Sequence, residues 1–179
     1  MRLGPRHLLP MLGLALAAAV APIAPPARAE IAGPPKIIDG DTIEVQGAAI
    51  RLYGIDAPEL GQICRIGRHA YDCGKIARTA LLDLTAGVSV ICELAPSDPV
   101  AGGEDSAQGG RPGRCTADGY DLSEGMAYTG WALAWRPVSE RYVAYEDRAR
   151  TARRGLWKGE FVEPWAWRAG TRLPPAGAE

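Results

Sequence analysis

The 179-residue sequence has little of what marks several common classes of protein. It contains only two histidines and four cysteines, with no Cys-x-x-Cys pair, which argues against a zinc site. Basic and acidic side chains number 20 and 21, whereas proteins that bind nucleic acid usually carry a basic excess. No repeat or heptad pattern is present. Hydrophobic residues make up 47% and charged residues 23%, so the composition predicts one ordinary globular domain.

The first 29 residues have the three-part pattern of a secretory signal peptide. Arg2 and Arg6 form a positive segment, an apolar run follows at 8–20, and a small-residue cleavage pattern ends at Ala29. The run is well short of the ~20 residues that span a bilayer. We therefore expect cleavage before Glu30, no stable membrane insertion afterwards, and a secreted or periplasmic protein.

Cleavage would leave an acidic protein. It removes three arginines and no acidic residue, so 17 of the 20 basic side chains remain against 21 acidic ones. Affinity for phosphate groups would then depend on the local placement of charge and not on a positive field over the whole surface.

All four cysteines would enter an oxidising compartment, where an even number favours two disulfide bonds. Three pairings are possible. Cys64–Cys73 is the local pairing, and Cys92–Cys115 would close the Gly- and Pro-rich segment 95–114, which is predicted to be a flexible loop. Closing that loop would stabilise the protein by roughly 3 kcal/mol in the chain-entropy treatment.

Short apolar and β-branched runs separated by turn residues predict strands. The pairs Asp39-Gly40 and Gln46-Gly47 divide the segment 37–55 into three short strands. The segment 88–94 has the composition of a further strand, and Asp118-Gly119 is a hairpin signal of type I′.

Helical spacing of apolar residues predicts about three helices. They cover 67–84, 122–128 and a segment that begins at an N-cap Ser139 and continues to 154, where Glu146 and Arg150 can pair. Together with the strands, these helices indicate an α+β fold built round an antiparallel barrel.

Four carboxylates and one arginine lie close together in the sequence. They are Asp39, Asp41, Arg51, Asp56 and Glu59. If their strands pair, the side chains converge, and such a cluster is unstable without protonation or a bound cation. Its oxygen ligands suit Ca²⁺ or Mg²⁺. The alternative is that both segments are ordinary turns, since Asp-Gly and Pro-Glu are common there.

A divalent cation in this cluster would reverse the local charge and allow a phosphodiester to approach. Arg51 could then hold a phosphate oxygen, and Glu59 could activate water as a general base. The residues thus favour phosphodiester chemistry over simple binding of a polyanion.

The motifs IIDGDTIEV, RLYGIDAPE and GWALAW, with the tail ARRGLW…PWAWR, resemble the thermonuclease (staphylococcal nuclease-like) family. The tail is typical of its exported bacterial members. The resemblance implies a nuclease-like domain at 30–168, followed by a flexible tail at 169–179. It also implies a five-stranded OB-type barrel with about three helices, a Ca²⁺ cofactor, and hydrolysis of DNA or RNA, preferably single-stranded or denatured, by a monomer.

Matched residue by residue, the resemblance assigns roles to the cluster. Ca²⁺ would be held by the carboxylates of Asp41 and Asp56 and by the carbonyl of Ala57, with Asp39 as a supporting carboxylate. Arg51 and Glu59 match catalytic residues of the family. Separately, Trp135 falls near a tyrosine that packs on the nucleotide, and base stacking could add ~1–3 kcal/mol.

The resemblance fails at a second catalytic arginine of the family. Counting back from Cys115 without a gap places Gly110 at that position, and a shift of one residue is needed to place Arg111 there. An arginine in phosphoryl transfer can be worth roughly 10³–10⁵ in rate. Two hypotheses follow: an exported Ca²⁺-dependent nuclease with Arg111 as its second arginine, or a catalytically impaired binding or structural module of the cell envelope.

Overall fold

The structure is a computed structural model, and it describes residues 29–95 and 110–175. The predicted signal peptide up to 28, most of the predicted loop and the last four residues lie outside these ranges, so the predictions made for them are not tested. No helix within the two ranges is long and apolar enough to cross a membrane.

Eleven strands are present in the described part of the chain. They are β1 (Glu30–Gly33), β2 (Lys36–Ile37), β3 (Thr42–Val45), β4 (Ala48–Leu52), β5 (Ile55–Asp56), β6 (Ile63–Ile66), β7 (His69–Asp72), β8 (Val90–Leu94), β9 (Arg111–Ala117), β10 (Tyr120–Asp121) and β11 (Leu133–Ala134). Seven of them form one curled sheet in the order β1-β8-β9-β4-β3-β2, with β10 paired to β9. Two short ladders, β5 with β11 and β6 with β7, lie outside that sheet.

Four α-helices and one 3₁₀ helix accompany the strands in the same ranges. They are α1 (Cys73–Leu84), α2 (Leu122–Thr129), α3 (Val143–Thr151), the 3₁₀ helix Gly155–Lys158 and α4 (Pro164–Arg168). The carboxylates of Asp72 and Asp121 cap α1 and α2 by accepting bonds from backbone amides of the first turn.

The prediction of an α+β fold of OB type is confirmed, with differences in detail. The sheet has seven strands instead of five, and β4 pairs with β9 in parallel while the other pairs are antiparallel. A two-residue turn at Asp118 and Gly119, both with positive φ, joins β9 to β10 as the hairpin signal predicts.

The predicted helix at 67–84 is wrong in its first third. Residues 63–72 form the β6–β7 hairpin, which turns at Gly67 with φ of 58°. The Asp72 side chain accepts a bond from the Lys75 amide, so the helix begins at Cys73. A disulfide bond between Cys64 and Cys73 fastens the hairpin to the helix.

The predicted N-cap at Ser139 is also wrong. Helix α3 begins at Val143, and the Ser139 hydroxyl accepts a bond from the Arg141 amide in the turn before it. Glu146 does not pair with Arg150 as helical spacing suggests, because its carboxylate is bound by Ala134 and Arg136.

The second disulfide bond joins Cys92 to Cys115, which are opposite each other on β8 and β9. Alternating residues of these strands are buried, so both cysteines point into the main core. Four cysteines can pair in three ways. The structure has the arrangement that combines the local bond Cys64–Cys73 with the loop-closing bond Cys92–Cys115.

A second, smaller core holds the C-terminal segment against the rest of the molecule. Cys64, Cys73, Leu133 and Leu156 are buried in it, and aromatic side chains of the tail pack around them. The Trp157 and Phe161 rings, for example, meet edge to face at 5.0 Å. This core brings α4 next to the β5–β11 ladder.

Candidate functional site

Three strands that follow one another in the chain, β3, β4 and β5, position the acidic cluster that the sequence predicts. Asp41 directly precedes β3, Arg51 lies in β4, and Asp56 ends β5. The register pairs Thr42 with Arg51, which brings Asp41 beside the arginine. All three charged side chains are buried, with residue exposures of 5%, 7% and 1%.

The Arg51 guanidinium joins the two aspartates. Its Nη2 atom lies 2.9 Å from Asp56 Oδ1 and 3.5 Å from Asp41 Oδ2. Asp41 Oδ2 also accepts a bond from the Ala57 amide at 2.9 Å, and Asp41 Oδ1 accepts one from the Thr42 hydroxyl. The residues expected to form the metal site therefore lie together, with the Ala57 backbone in contact with Asp41.

Asp39 closes the turn that leads into β3. Its Oδ1 atom accepts bonds from the Asp41 amide at 3.0 Å and from the Thr42 amide at 2.7 Å. Burial, with repulsion from Asp41, raises the pKa of Asp39 to about 7. Asp39 thus supports the backbone that carries Asp41, and its role beside a metal ion stays a prediction.

Asp56 is the most buried carboxylate of the cluster. Burial and the charge of Asp41 raise its pKa to about 6, although bonds from Arg168 and the charge of Arg51 act in the opposite direction. The raised pKa of Asp56 thus reflects mainly its removal from water, to which the nearby charge of Asp41 adds.

An arginine that sequence reasoning missed completes the cluster. Arg168, the last residue of α4, binds Asp56 with both terminal nitrogens, at 2.8 and 2.7 Å. Its Nη1 atom also donates to Glu59 Oε1 at 2.7 Å. Burial opposes its charge, but the bonds to Asp56 and Glu59 raise the pKa of Arg168 above its ordinary value. The one available signal was the excess of four carboxylates over one arginine.

A buried glutamine, also missed, fixes the loop that carries Glu59. Gln62 Oε1 accepts a bond from the Glu59 amide at 3.2 Å, and its Nε2 donates to the Val162 carbonyl at 2.7 Å. Gln62 therefore links this loop to the segment before α4, so that Glu59 and Arg168 are positioned by one network.

Arg111 is not brought into the cluster. It begins β9, is exposed, and pairs in register with Ile50, whereas Pro112 pairs with Arg51. Paired residues share a face of a sheet, so Pro112 and not Arg111 lies on the face of Arg51. In the described ranges no ion pair joins Arg111 to Asp41, Asp56 or Glu59.

Gly110 occupies the position where the ungapped comparison expects the second arginine. A Cβ atom built there would lie 3.0 Å from the Arg51 backbone nitrogen and 3.4 Å from its Cβ. A side chain at 110 would thus start beside Arg51, but this chain has none at that point.

Trp135 directly follows β11 and is half-buried. Its ring packs against that of Trp165 in α4, with centroids 5.0 Å apart and planes tilted by 49°. The contact supports α4 from the side of the ladder. Stacking of Trp135 on a nucleotide remains a prediction.

The donor set suits a hard divalent cation, because it consists of carboxylate and carbonyl oxygens without sulfur or imidazole. Asp41 and Asp56 lie close enough to share one nitrogen of Arg51. In residues 29–95 and 110–175, however, no three His, Cys, Asp or Glu side chains are already arranged round one metal position. A cation here would therefore rely on two carboxylates, the Ala57 carbonyl and water.

No family model matches the chain, but individual proteins do. It is 33% identical over 145 residues to the succinoglycan biosynthesis protein ExoI of Rhizobium meliloti, covering 78% of this chain and 71% of the relative. It is 33% identical over 170 residues to a micrococcal nuclease of Shigella flexneri, covering 87% and 91%. A probable staphylococcal-like nuclease of Oryza sativa subsp. japonica, CAN1, is 30% identical over 140 residues, 74% of this chain and 36% of the relative.

Proposed function

Because the chain belongs to the thermonuclease-like (staphylococcal-like nuclease) family, we propose that it is an exported, Ca²⁺-dependent nuclease. It hydrolyses phosphodiester bonds of DNA or RNA and acts as a monomer. Single-stranded or denatured nucleic acid is the preferred substrate, since bases that are free of a duplex can reach the half-buried ring of Trp135.

One observation carries the proposal: two buried aspartates, a buried arginine and a partly exposed glutamate meet in one place. Arg51 contacts Asp41 and Asp56, and Arg168 links Asp56 to Glu59. The Glu59 side chain is 25% exposed, so it faces the side from which water and substrate arrive.

The residues divide the chemistry among them. Asp41, Asp56 and the Ala57 carbonyl would hold Ca²⁺, which when bound neutralises phosphate charge and makes bound water more acidic. Arg51 binds a non-bridging phosphate oxygen and stabilises the charge that develops on it. Glu59 accepts the proton of the attacking water as a general base. Asp39 maintains the turn that orients Asp41.

Export is supported by two features of the described chain. Both disulfide bonds form within it, and disulfide bonds persist in oxidising compartments. Strand β1 begins at Glu30, the residue that follows the expected cleavage point.

Hydrolysis of heat-denatured DNA by the oxidised protein, lacking residues 1–29, tests the proposal. We expect Ca²⁺-dependent release of short fragments that stops with a chelator and with Glu59→Gln. Glu163→Gln is the matched control, because Glu163 is an exposed glutamate in front of α4, and it should cleave at the wild-type rate. No release of fragments by the wild type above the level seen with chelator would refute an enzymatic role, and equal Ca²⁺-dependent rates in wild type and Glu59→Gln would refute the role of Glu59 as general base.

The second candidate is a nuclease-fold module of the cell envelope that binds without turnover. It is favoured by Gly110, which leaves no side chain where the second arginine is expected, and by the separation of Arg111 from the acidic cluster. Retained binding of single-stranded DNA with no cleavage under any metal condition would select this candidate over the nuclease.

A further inference from the structure

The C-terminal helix α4 brings a guanidinium into the acidic cluster, whereas in the described ranges Arg111 of strand β9 forms no ion pair there. Arg168 lies 112 residues from Asp56 and 109 from Glu59 in the sequence, yet it binds both carboxylates through a single side chain. We propose that Arg168 is the second phosphate-binding arginine of this site. This inference rests on the nuclease function proposed above.

Contacts that do not involve Arg168 also hold α4 in place. Trp165 packs on Trp135, Pro164 is buried, and the Val162 carbonyl accepts a bond from buried Gln62. These contacts dock the helix through apolar surface and backbone. The side chain of Arg168, at the end of α4, is therefore available to act together with the Asp56 and Glu59 carboxylates that it contacts.

The position of Arg168 differs from that of Arg51 in a way that suits substrate. The Arg51 side chain is 8% exposed and lies deep between the aspartates, whereas that of Arg168 is 21% exposed, close to the 25% of Glu59. An arginine beside the general base and at the opening of the site is placed to meet a phosphate as it arrives.

The donors of the guanidinium are only partly used. Arg168 Nη1 donates to Asp56 and Glu59, and Nη2 donates once to Asp56. An arginine has five N–H donors in a planar fork that matches two oxygens of a phosphate as well as those of a carboxylate. The Nε proton and the second Nη2 proton make no hydrogen bond within the described ranges and could donate to phosphate oxygens.

The absence of a side chain at Gly110 favours the assignment of this role to Arg168. A side chain at 110 would begin beside Arg51, and none is present. Arg111 pairs in register with Ile50, and in the described ranges no ion pair joins it to the cluster. Of the arginines in the described chain, Arg51 and Arg168 are the two that bind Asp56.

The test compares Arg168→Ala with Arg172→Ala in the same oxidised protein without residues 1–29 that is used in the cleavage assay above. Arg172 is the matched control because it stands on the same segment but bonds to the Trp167 and Thr171 carbonyls. We expect Arg168→Ala to lower kcat on denatured DNA by roughly 10³–10⁵-fold and Arg172→Ala to leave it unchanged. Guanidinium ion, added well below denaturing concentrations, should restore part of the lost rate only in Arg168→Ala.

A second readout does not depend on turnover. Binding of a short single-stranded oligonucleotide, in Ca²⁺ and followed by tryptophan fluorescence, should weaken at least about tenfold in Arg168→Ala, the loss of one charge-assisted phosphate contact. Arg168→Lys should fall between that variant and wild type, because lysine keeps the charge but not the fork.

Each outcome decides the assignment. Wild-type kcat and affinity in Arg168→Ala would overturn it, as would faster cleavage with tighter Ca²⁺ binding, since Arg168 would then block the site. A wild-type protein that binds but does not cleave refutes the nuclease proposal alone, and the oligonucleotide affinities still test Arg168. A protein that does neither refutes both.

Discussion

Two buried carboxylates, those of Glu146 and Asp56, lie beside the β5–β11 ladder and have different roles. Glu146 in α3 accepts a bond from the Ala134 amide of β11 at 2.6 Å and one from Arg136 at 3.0 Å. Asp56, on the paired strand β5, is held by Arg51 and Arg168. The two carboxylates are almost equally buried, at 2% and 1% exposure.

The difference lies in what surrounds each charge. Glu146 has one backbone donor and one arginine, so a single negative charge is matched and the helix is clamped to the ladder. Burial, with the added charge of Asp41, raises the pKa of Asp56, and the same two causes raise the pKa of Asp39 nearby. A matched buried charge maintains structure, whereas a cluster with excess negative charge favours binding of a cation, and only with that cation bound would it admit a phosphate.

The largest effect expected from this comparison is on turnover. Arg51→Gln should reduce hydrolysis of denatured DNA by roughly 10³–10⁵-fold, because it removes a guanidinium that stabilises the transition-state charge. Arg136→Gln, which removes the arginine of the Glu146 clamp, should keep the wild-type rate. Similar rates in the two variants would mean that the acidic cluster is structural.

The next largest effect is on stability. Glu146→Ala leaves the buried Ala134 amide without its acceptor, so we expect the free energy of unfolding to drop by about 3 kcal/mol in urea titrations. The rate per folded molecule should remain that of the wild type. If the variant is as stable as the wild type, the clamp contributes nothing and the comparison fails.

Removing the charge of Asp39 is expected to change the free energy of unfolding by a smaller amount and in the opposite direction. Its folded-state pKa of about 7 is raised above the unfolded value, so its stabilising contribution is complete below about pH 4 and is lost as the pH rises through about 7. Asp39→Asn keeps an oxygen for the Thr42 amide but carries no charge. In chelator, it should stabilise the protein by about 0.5–2 kcal/mol at pH 8 and by less at pH 5.

Equal changes in stability at the two pH values would contradict the raised pKa of Asp39. Asp118→Asn, in the exposed β9–β10 turn, provides the control for the loss of one surface carboxylate.

Local sequence signals predicted the parts of the molecule that depend on neighbouring residues. Asp118-Gly119 adopts the positive φ angles of the predicted turn, and the pairing of β3 with β4 brings Asp41 to Arg51 as the spacing suggests. The helix predicted at 67–84 is present from Cys73 onward and fails only at 67–72, because periodicity carries no information about the Cys64–Cys73 bond and the hairpin that it fastens.

The rest of the site depends on contacts that span much of the chain. Gln62 reaches Val162, and Arg168 reaches Asp56 and Glu59, over 100 to 112 residues. Such partners follow from packing of the C-terminal tail on the second core, which no local pattern encodes. The charge imbalance of the acidic cluster showed that a partner was missing but not where it lay.

Calorimetric titration with Ca²⁺ tests most directly whether the acidic cluster is a cation site and the Glu146 clamp is not. We expect wild type and Glu146→Gln to bind one Ca²⁺ per chain with Kd of about 10⁻⁴ to 10⁻³ M, and Asp56→Asn to show no binding in that range. Absence of binding in wild type, or unchanged binding in Asp56→Asn, would contradict the account.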